Sequence, residues 1–452
     1  MKLERLFQGK NSVLYGSESE SVLYEKLSST IHIGERKELG GLQRRIEEID
    51  YRPIFETNSL KKQQNAPLGI LFLEVTEQCN LSCSYCIYSE DYPYERKESP
   101  KTMSFETARK SLDYLVPLSN NNVMIGFYGG EPLLNMNLIQ RIIDYFRIKF
   151  PDKEVGFSMT TNFFNADKYI REIVDNGMYV NLSLDGPKEV HDKYRKTKSG
   201  KPTYDKIVSN LKRIEEYSPG YTDSHIFILS TCEEPEDIFQ IIPFFEREKY
   251  FVSHINSPDP KGRVNSEKRI TCESSGERLS REFLRRILVG EDPKVLRRLF
   301  DKDLKAVAVR DKRVTPQELM LNGSCYPGKK RIFVDVNGNY HPCERFGHRL
   351  KIGSVEEGIR QELVDETIES FAMIRNELCG ECWAQRICSP CLQHAKDPEG
   401  EISMKGLAQT CEGKKRQLLV GLDNYVKLLQ HDSEKTENYI KSINPLFERR
   451  LI

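Results

Sequence analysis

The sequence predicts an α/β protein built on an open, partial barrel of six β/α units, a partial (β/α)6 barrel, followed by a small cysteine-rich domain. From about residue 68, apolar strands alternate with amphipathic helices, which is typical of parallel β/α units. Beyond about residue 320 the chain turns to short strands, glycines and cysteines. We therefore expect an N-terminal segment over 1–66, the partial barrel over 67–315, and the cysteine-rich domain with a C-terminal helix over 316–452.

Charge and hydropathy restrict the class of protein. The 452 residues include 68 Lys plus Arg and 68 Asp plus Glu, so the formal net charge is zero and no overall field favours nucleic acid. No stretch approaches the roughly 18 uninterrupted apolar residues of a membrane span, and the first residues lack the apolar centre of a signal peptide. We expect a soluble, cytoplasmic protein without a nucleic-acid or membrane partner.

The N-terminal segment and the barrel have distinct patterns. The segment contains a hairpin-like "SVLYGSESESVLY" and a helical "ELGGLQRRIEEI", and a polar linker, "NSLKKQQNAP", follows it. Functional residues of β/α folds follow the carboxyl ends of the strands, so we expect the site there. The six predicted barrel strands are near "GILFLEV", "VMIGFY", "VGFSMTT", "YVNLSLD", "HIFILST" and "FVSHINS".

Cysteine usage indicates metal or redox chemistry. A reducing cytosol does not maintain a disulfide framework, so the 12 cysteines need another explanation. Two of them, Cys232 and Cys272, stand alone. The other ten form a first group, Cys79, Cys83 and Cys86, and a second group, Cys325, Cys343, Cys379, Cys382, Cys388, Cys391 and Cys411.

The first group, in "CNLSCSYC", supplies three thiolates and no fourth protein ligand. Thiolates suit zinc, copper(I) and iron–sulfur clusters. A structural zinc site takes four ligands, and no histidine lies near these cysteines in the sequence. The number three favours a cubane iron–sulfur cluster with one iron open, and a partial zinc site is the alternative.

The CX3CX2C spacing after the first barrel strand resembles that of radical S-adenosylmethionine enzymes. In that family the open iron binds the amino and carboxylate groups of S-adenosylmethionine, so the resemblance implies that the cofactor supplies the missing ligand. Further motifs follow the next strands in the same order: "GGEP", "SMTTN", "SLDGP" and "HDKYR". Taken singly, each motif also fits a turn, a loop cap or a surface cation.

The resemblance implies a set of contacts with S-adenosylmethionine. Tyr85 matches the aromatic residue near adenine, and the GGEP segment matches the one that meets the ammonium group. Arg195 is expected to pair with the cofactor carboxylate. The cofactor-binding residues implied in this way are Tyr85, Gly129, Gly130, Glu131, Ser158, Asn162, Ser183, Asp185 and Arg195.

The second cysteine group resembles the seven-cysteine SPASM extension of radical S-adenosylmethionine enzymes that modify peptides and proteins. That extension carries two auxiliary [4Fe-4S] clusters, so the resemblance implies three clusters in all. The last spacing is usually X3, and this chain has X2 between Cys388 and Cys391. The family's crossed ligation assigns Cys379, Cys382, Cys388 and Cys411 to one cluster, and Cys325, Cys343 and Cys391 to the other.

The second of these sets is one ligand short. Anaerobic sulfatase maturases, which "SLDGPKEVHDKYRK" resembles strongly, carry an extra cysteine a few residues after the position of Cys325, and residues 326–331 here read "YPGKKR". An open auxiliary iron could bind a substrate thiolate, since a coordinating thiol is deprotonated. This favours thioether formation, and the alternatives are a water, a non-cysteine protein ligand or a zinc knuckle.

Glu344 is the candidate catalytic base. It directly follows Cys343, where sulfatase maturases carry an aspartate proposed to take a proton from the substrate. A salt bridge to Arg345 or Arg349 is the structural alternative. The eight histidines show no ligand spacing.

These resemblances imply a radical S-adenosylmethionine peptide maturase that closes a crosslink, above all a cysteine thioether, in a ribosomally made precursor peptide. An electron donor such as flavodoxin or ferredoxin would serve it. The first 66 residues would bind the leader of the precursor by strand addition, or merely cap the barrel. The alternatives are an anaerobic sulfatase maturase that generates formylglycine, and a zinc-binding scaffold without catalysis.

Overall fold

The computed structural model describes residues 6–92, 94–248, 250–258, 273–321, 323–347 and 349–443. Cys272 lies outside this part of the chain. The described strands are β1 Phe7–Gln8, β2 Ser12–Gly16, β3 Ser21–Glu25, β4 Ile31–Gly34, β5 Ile54–Glu56, β6 Leu68–Thr76, β7 Leu81–Cys83, β8 Ser119–Gly129, β9 Glu154–Thr161, β10 Tyr179–Ser183, β11 Arg195–Thr197, β12 Ile226–Thr231, β13 Val252–Asn256, β14 Glu318–Met320, β15 Arg331–Val334, β16 Asn339–His341, β17 Gly353–Ser354 and β18 Gly358–Ile359.

Helices separate the strands of the middle region and dominate the C-terminal region. None of the helices in the described ranges combines the length and apolar character needed to cross a bilayer. The helices are α1 Arg36–Glu48, α2 Asn58–Lys61, α3 Phe105–Leu115, α4 Met136–Lys149, α5 Ile170–Asp175, α6 Lys188–Tyr194, α7 Tyr204–Tyr217, α8 Tyr221–His225, α9 Ile238–Glu248, α10 Glu273–Leu288, α11 Lys294–Ala308, α12 Gln361–Cys379, α13 Met404–His431 and α14 Ser433–Ser442.

One mixed sheet organises the molecule. Its order is β13-β12-β10-β9-β8-β6-β15-β16-β17-β18, and the first seven strands are mutually parallel. Six of the parallel strands lie where the alternation of apolar strands and helices predicts them. The chain therefore has a mixed α/β fold in which the strand ends after β6, β8, β9 and β10 lie along one edge of the sheet.

The two faces of the sheet differ in burial. In β10, Val180 and Leu182 are fully buried in the main hydrophobic core, whereas Tyr179, Asn181 and Ser183 are only partly buried. The same alternation runs along β12. We call the partly buried side, defined by Tyr179, Asn181, Ser183 and the residues in register with them, the inner face; side chains reach it at every second position because strands alternate.

The sheet continues beyond the predicted boundary near residue 315. β15 pairs in parallel with β6, with Arg331 opposite Ile70 and Val334 opposite Leu73, and β16 to β18 extend it with antiparallel pairs. The cysteine-rich region thus contributes β15 to β18 to the central sheet, whereas β14 pairs with β5 in a separate two-stranded sheet.

The N-terminal segment forms a four-stranded antiparallel sheet, β1-β2-β3-β4, with α1 on one face. The predicted hairpin and helix are both present, and the polar linker contains the short helix α2. The other face of this sheet packs against the segment between Cys382 and Cys388 and against α13. Lys26 donates to the backbone oxygen of Gly380 at 2.8 Å, and Arg386 donates to the backbone oxygen of Lys26 at 2.8 Å.

Candidate functional site

The first cysteine group lies directly beyond the carboxyl end of β6, where the sequence predicts it. β6 ends at Thr76, and the loop that follows carries all three thiols. The loop is fixed by the pairing of β7 with β11, which sets Cys83 opposite Arg195. The cysteine motif and the "HDKYR" motif, more than 100 residues apart, are therefore held together by backbone pairing.

Each sulfur of this group accepts a hydrogen bond from an N–H group of the protein. Such donors stabilise thiolates, and hydrogen bonds to sulfur are a regular feature of iron–sulfur ligation. The donor set therefore fits a thiolate-bound cluster better than a buried apolar role for these cysteines. The donor–sulfur pairs are Leu81 N–H to Cys79 Sγ at 3.5 Å, Asn162 Nδ2 to Cys79 Sγ at 3.9 Å, Arg195 Nη1 to Cys83 Sγ at 3.8 Å, and Tyr88 N–H to Cys86 Sγ at 3.4 Å.

Burial keeps these thiols protonated in the absence of metal. It raises the pKa of Cys79 to about 12 and that of Cys83 to about 11, although Arg195 lowers the latter. A metal ion or cluster deprotonates a thiol on binding, so loading of this site releases protons.

Gly129 and Gly130 let the end of β8 pass close to the cysteine loop. Gly129 has a φ of +139°, and a Cβ there would lie 2.0 Å from the Thr76 carbonyl oxygen. A Cβ on Gly130 would lie 2.3 Å from the Gln78 carbonyl oxygen. The two glycines therefore allow a close approach of β8 to the cysteine loop, and their contact with the cofactor stays a prediction.

Glu131 joins the ends of β8 and β9. Its fully buried carboxylate accepts hydrogen bonds from Thr161 Oγ1 at 2.6 Å, Asn162 N–H at 2.7 Å and Leu133 N–H at 3.1 Å. Burial raises the pKa of Glu131 to about 7, and these hydrogen bonds oppose the rise. The carboxylate therefore orients the loop containing Asn162, and its direct contact with the cofactor stays a prediction.

Asp185, Arg195 and Tyr85 form one buried cluster. Asp185 accepts hydrogen bonds from the Tyr85 hydroxyl, from Arg195 Nε at 3.0 Å and from Thr231 N–H at 3.0 Å. Arg195 is 8% exposed, and its guanidinium lies 5.3 Å from the Tyr85 ring centroid. The alternative of a surface cation is wrong for Arg195, whose charge is already paired with Asp185 beside the cysteine loop.

Two polar atoms near this cluster are buried without a hydrogen-bond partner in the described structure. They are Ser158 Oγ and Asn80 Nδ2. Ser158 pairs with Tyr179 in register and therefore lies on the inner face, as Ser183 also does. Buried polar groups are normally satisfied, so the two orphaned atoms fit a site that binds a polar ligand.

Four cysteines of the second group lie near one another, and their assignment to one cluster stays a prediction. Burial raises the pKa of Cys388 to about 12. Arg375 lowers this pKa, whereas Cys382 and Cys379 add to the rise. The same two thiols contribute to the pKa of Cys411, which is raised to about 11 mainly by burial. The end of α12, the loop after it and the first turns of α13 thus bring these four cysteines together.

Arg331 lies near Cys325 and Cys343, and Cys391 lies near Cys343. Burial raises the pKa of Cys343 to about 12, with contributions from Glu344 and Cys391, and Arg331 lies within electrostatic reach of Cys325 and Cys343. These three cysteines are the proposed set that is one ligand short.

His394 is a neighbour of this set that the sequence analysis missed. Its Nδ1 accepts a hydrogen bond from Cys391 N–H at 3.0 Å and lies 3.3 Å from Cys391 Sγ. A Cys-X2-His spacing is the signal that points to it, and it is easily overlooked because the histidine stands alone.

Glu344 is held in an ion pair. Arg331 Nη1 lies 3.0 and 3.2 Å from its two oxygens, and Arg345 Nε is 3.9 Å away. Burial raises the pKa of Glu344, but Arg331 and Arg345 outweigh it, and the net shift is downward. The alternative role of Glu344, a salt bridge to Arg345 or Arg349, is right for Arg345. It is wrong for Arg349, whose Nη1 lies 3.5 Å from Glu401 Oε1.

Within the described ranges, no three His, Cys, Asp or Glu side chains converge as ligands of one metal ion. A tetrahedral zinc site requires such convergence, since all ligands bind one atom. A four-iron cluster distributes its cysteines over different irons, so its ligands stand farther apart.

Fold and site together define the class of protein. Residues 73–242 match the Radical SAM superfamily. This part of the chain is therefore similar to a radical S-adenosylmethionine domain, and the match indicates a catalytic protein.

Relatives add detail within this class. The chain is 24% identical over 352 residues to a cysteine-type anaerobic sulfatase-maturating enzyme of Clostridium novyi (strain NT), covering 73% of this chain and 89% of that protein. It is 36% identical over 149 residues to the uncharacterized protein MJ0907 of Methanocaldococcus jannaschii, covering 33% of this chain and 49%, about half, of that protein. The solved structure of native anSMEcpe with bound AdoMet and Cp18Cys peptide has the same fold, with a TM-score of 0.59 at 17% identity, covering 83% and 99% of the two chains.

Proposed function

We propose that this enzyme modifies a peptide by abstracting hydrogen from one of its carbon atoms, and that it closes a crosslink there as a cysteine thioether in a ribosomally made precursor. The observation that carries the proposal is the first cysteine group: three thiols, each with a hydrogen donor, at the strand ends that border the inner face. A site at this edge can act on a segment that enters the inner face.

The residues present suit the cofactors that the family implies. Cys79, Cys83 and Cys86 would hold a [4Fe-4S] cluster, and the orphaned Ser158 Oγ and Asn80 Nδ2 are available to a polar ligand beside it. When bound, the cluster and S-adenosylmethionine supply the 5′-deoxyadenosyl radical. The protein contributes orientation and a region shielded from water.

Two auxiliary clusters belong to the same proposal. Cys379, Cys382, Cys388 and Cys411 would hold one of them. For the other, Cys325, Cys343 and Cys391 lie near one another, and the extra cysteine typical of sulfatase maturases is absent from 326–331. Because this set is one cysteine short, it favours a reaction that joins a substrate thiol to carbon over one that only oxidises the thiol.

The second candidate function is formylglycine generation. It is favoured by the similarity to a sulfatase-maturating enzyme over 73% of the chain. Against it stand the absent auxiliary cysteine and the presence of Glu344 where those enzymes carry aspartate.

The mass of the product separates the two functions. The anaerobically reconstituted enzyme is incubated with S-adenosylmethionine, a reductant and a cysteine-containing peptide encoded beside its gene. Loss of a hydrogen pair with retention of sulfur supports a thioether, whereas loss of sulfur supports formylglycine. A peptide of unchanged mass, despite cleavage of the cofactor, would contradict both.

We also propose that β4 binds the leader segment of the precursor. β4 forms one edge of the N-terminal sheet, and Ile33 within it is 46% exposed. An extended peptide gains main-chain hydrogen bonds by adding a strand to such an edge.

A further inference from the structure

Arg375 is a buried cation on α12, one helical turn before Cys379. It is only 1% exposed, and it is among the largest fully buried side chains of the described residues. Residues four apart on a helix lie on the same face, so Arg375 and Cys379 leave α12 on the same side. The Nε and Nη1 atoms of Arg375 are buried and have no hydrogen-bond partner in the described part of the chain. A buried charge is costly unless it is paired, so this position calls for an anion.

Strand β5 of the N-terminal segment holds the guanidinium in place. The Cζ atom of Arg375 lies 3.9 Å from the centroid of the Phe55 ring, in a cation–π contact. Asn376, the next residue of α12, fixes this ring: its Oδ1 accepts from Phe55 N–H at 2.6 Å, and its Nδ2 donates to the Phe55 carbonyl oxygen at 3.3 Å. An aromatic ring attracts a cation but does not replace the acceptors that guanidinium N–H groups need.

The loop between Cys382 and Cys388 closes onto the same place. Gln385 Nε2 donates to the Pro53 carbonyl oxygen, just before β5, at 3.0 Å. Phe55, Gln385 and Cys388 line one cavity of about 480 Å³. The ring that contacts Arg375 and the residue Cys388 thus lie in one cavity wall, and Cys379 lies on the helix that carries Arg375.

The acidic residues of this region do not neutralise Arg375. None of them forms an ion pair with it within the described ranges, and Glu369, for example, pairs with Lys61 at 3.2 Å while Asp311 pairs with Arg313 at 2.7 Å. The carboxylates considered are those on the last three turns of α12, in the loop after it and along the cavity, namely Glu369, Glu377, Glu381, Asp311, Glu56 and Glu318.

We infer that Arg375 is the counter-ion of the auxiliary cluster proposed for α12, the loop after it and α13, and that its Nε–H and Nη1–H groups donate hydrogen bonds to sulfur atoms of that cluster. The inference rests on the proposed function, which includes this cluster. A cubane held by four thiolates is an anion, and one-electron reduction adds a negative charge. A buried cation that donates to its sulfurs therefore stabilises the reduced form more than the oxidised form and raises the reduction potential.

The test is a potentiometric titration, followed by EPR spectroscopy, of the full chain with the substitutions Cys79→Ala, Cys83→Ala and Cys86→Ala after anaerobic reconstitution. This background lacks the first cluster, so its roughly eight irons belong to the two auxiliary clusters. Adding Arg375→Gln should make reduction of one auxiliary cluster about tenfold less favourable, which is a fall of about 59 mV in its potential. The potential of the other cluster should not change.

Two further variants separate the charge of Arg375 from its packing. Arg375→Lys keeps the positive charge, so its potential should lie between those of the background and of Arg375→Gln. Lys61→Gln also removes one positive charge beside α12, but the side chain of Lys61 is 39% exposed. Solvent and salt screen this charge, so Lys61→Gln should leave both potentials unchanged.

The outcomes distinguish this inference from the proposed function. Unchanged potentials in an Arg375→Gln protein that keeps roughly eight irons would overturn the inference alone. Loss of about four irons in Arg375→Gln and Arg375→Lys alike would also overturn it, because packing rather than charge would then explain the residue; loss in Arg375→Gln only would support it. A background protein without iron would overturn both the auxiliary clusters and the inference. Product mass, measured in the chain with its first cysteine group intact, tests the proposed function separately.

Discussion

Gly130 is the residue at which the end of β8 touches the cysteine loop. In Gly130→Ala the new Cβ would lie 2.3 Å from the Gln78 carbonyl oxygen, so the loop that carries the thiols must shift. We expect a loss of about 1–3 kcal/mol in the free energy of unfolding and a lower iron content and cofactor affinity. Thermal unfolding, iron analysis and S-adenosylmethionine binding check this.

Gly41→Ala is the control for that substitution. Gly41 lies in α1, and a Cβ there would meet nothing within 4 Å, so the variant should bind iron and cofactor as the parent does. If Gly130→Ala behaved in the same way, the close approach of β8 to the cysteine loop would have no part in building the site.

Substitution of Glu344 tests the role of the carboxylate beside Cys343. Glu344→Gln keeps the shape of the side chain but removes the charge that pairs with Arg331 and accepts a proton. We expect product formation to fall at least about tenfold, within the range that general bases contribute, while cleavage of S-adenosylmethionine continues. Glu401→Gln, which alters the separate ion pair with Arg349, should leave both rates unchanged. Unaltered turnover of Glu344→Gln would remove this carboxylate from the mechanism.

At the scale of residues, the resemblance supplied the proposed members of the site but not their contacts with one another. Arg195 and Asp185 were expected to meet the cofactor, and the structure also pairs them with each other. His394 was missed because one histidine beside one cysteine is a weak signal in a sequence. Side-chain contacts of this kind depend on backbone pairings far apart in the chain, such as that of Cys83 with Arg195.

At the scale of elements, β4 is the strand proposed to bind the leader segment. Ile33→Pro removes one N–H from the edge strand and disfavours an added strand. A lost hydrogen bond of this kind contributes about 1 kcal/mol, so leader affinity should fall roughly fivefold or more. Ile33→Ala keeps the N–H and is the matched control, and fluorescence anisotropy of a labelled leader peptide measures both. An unchanged affinity in Ile33→Pro would exclude strand addition at β4.

Six strands of the central sheet were predictable because each is an apolar run followed by an amphipathic helix, a local signal. The continuation of the sheet into β15 was not predictable. The four residues of β15 carry too little pattern to reveal that they pair with β6, more than 200 residues earlier. The proposed division of the second cysteine group into two sets is likewise non-local, and it rests on the family resemblance alone.

At the scale of the whole molecule, the N-terminal segment and the cysteine-rich region form one packed unit. Tyr15 and Tyr24 of the N-terminal sheet share a core with Trp383 and Ile387, which lie between two proposed cluster ligands. Deletion of the first 60 residues would therefore disturb the auxiliary cysteines as well as any leader site, and a point substitution in β4 is the better test of leader binding.

The central claim is that the first cysteine group holds an iron–sulfur cluster whose open iron takes the cofactor. Iron and acid-labile sulfide, measured together with the visible spectrum after anaerobic reconstitution, test it most directly in the parent and in the Cys79→Ala, Cys83→Ala, Cys86→Ala variant. The account predicts roughly twelve irons per chain in the parent, and about four fewer in the variant together with loss of S-adenosylmethionine cleavage. Colourless protein that binds zinc without sulfide, or a variant that keeps all its iron, would contradict it.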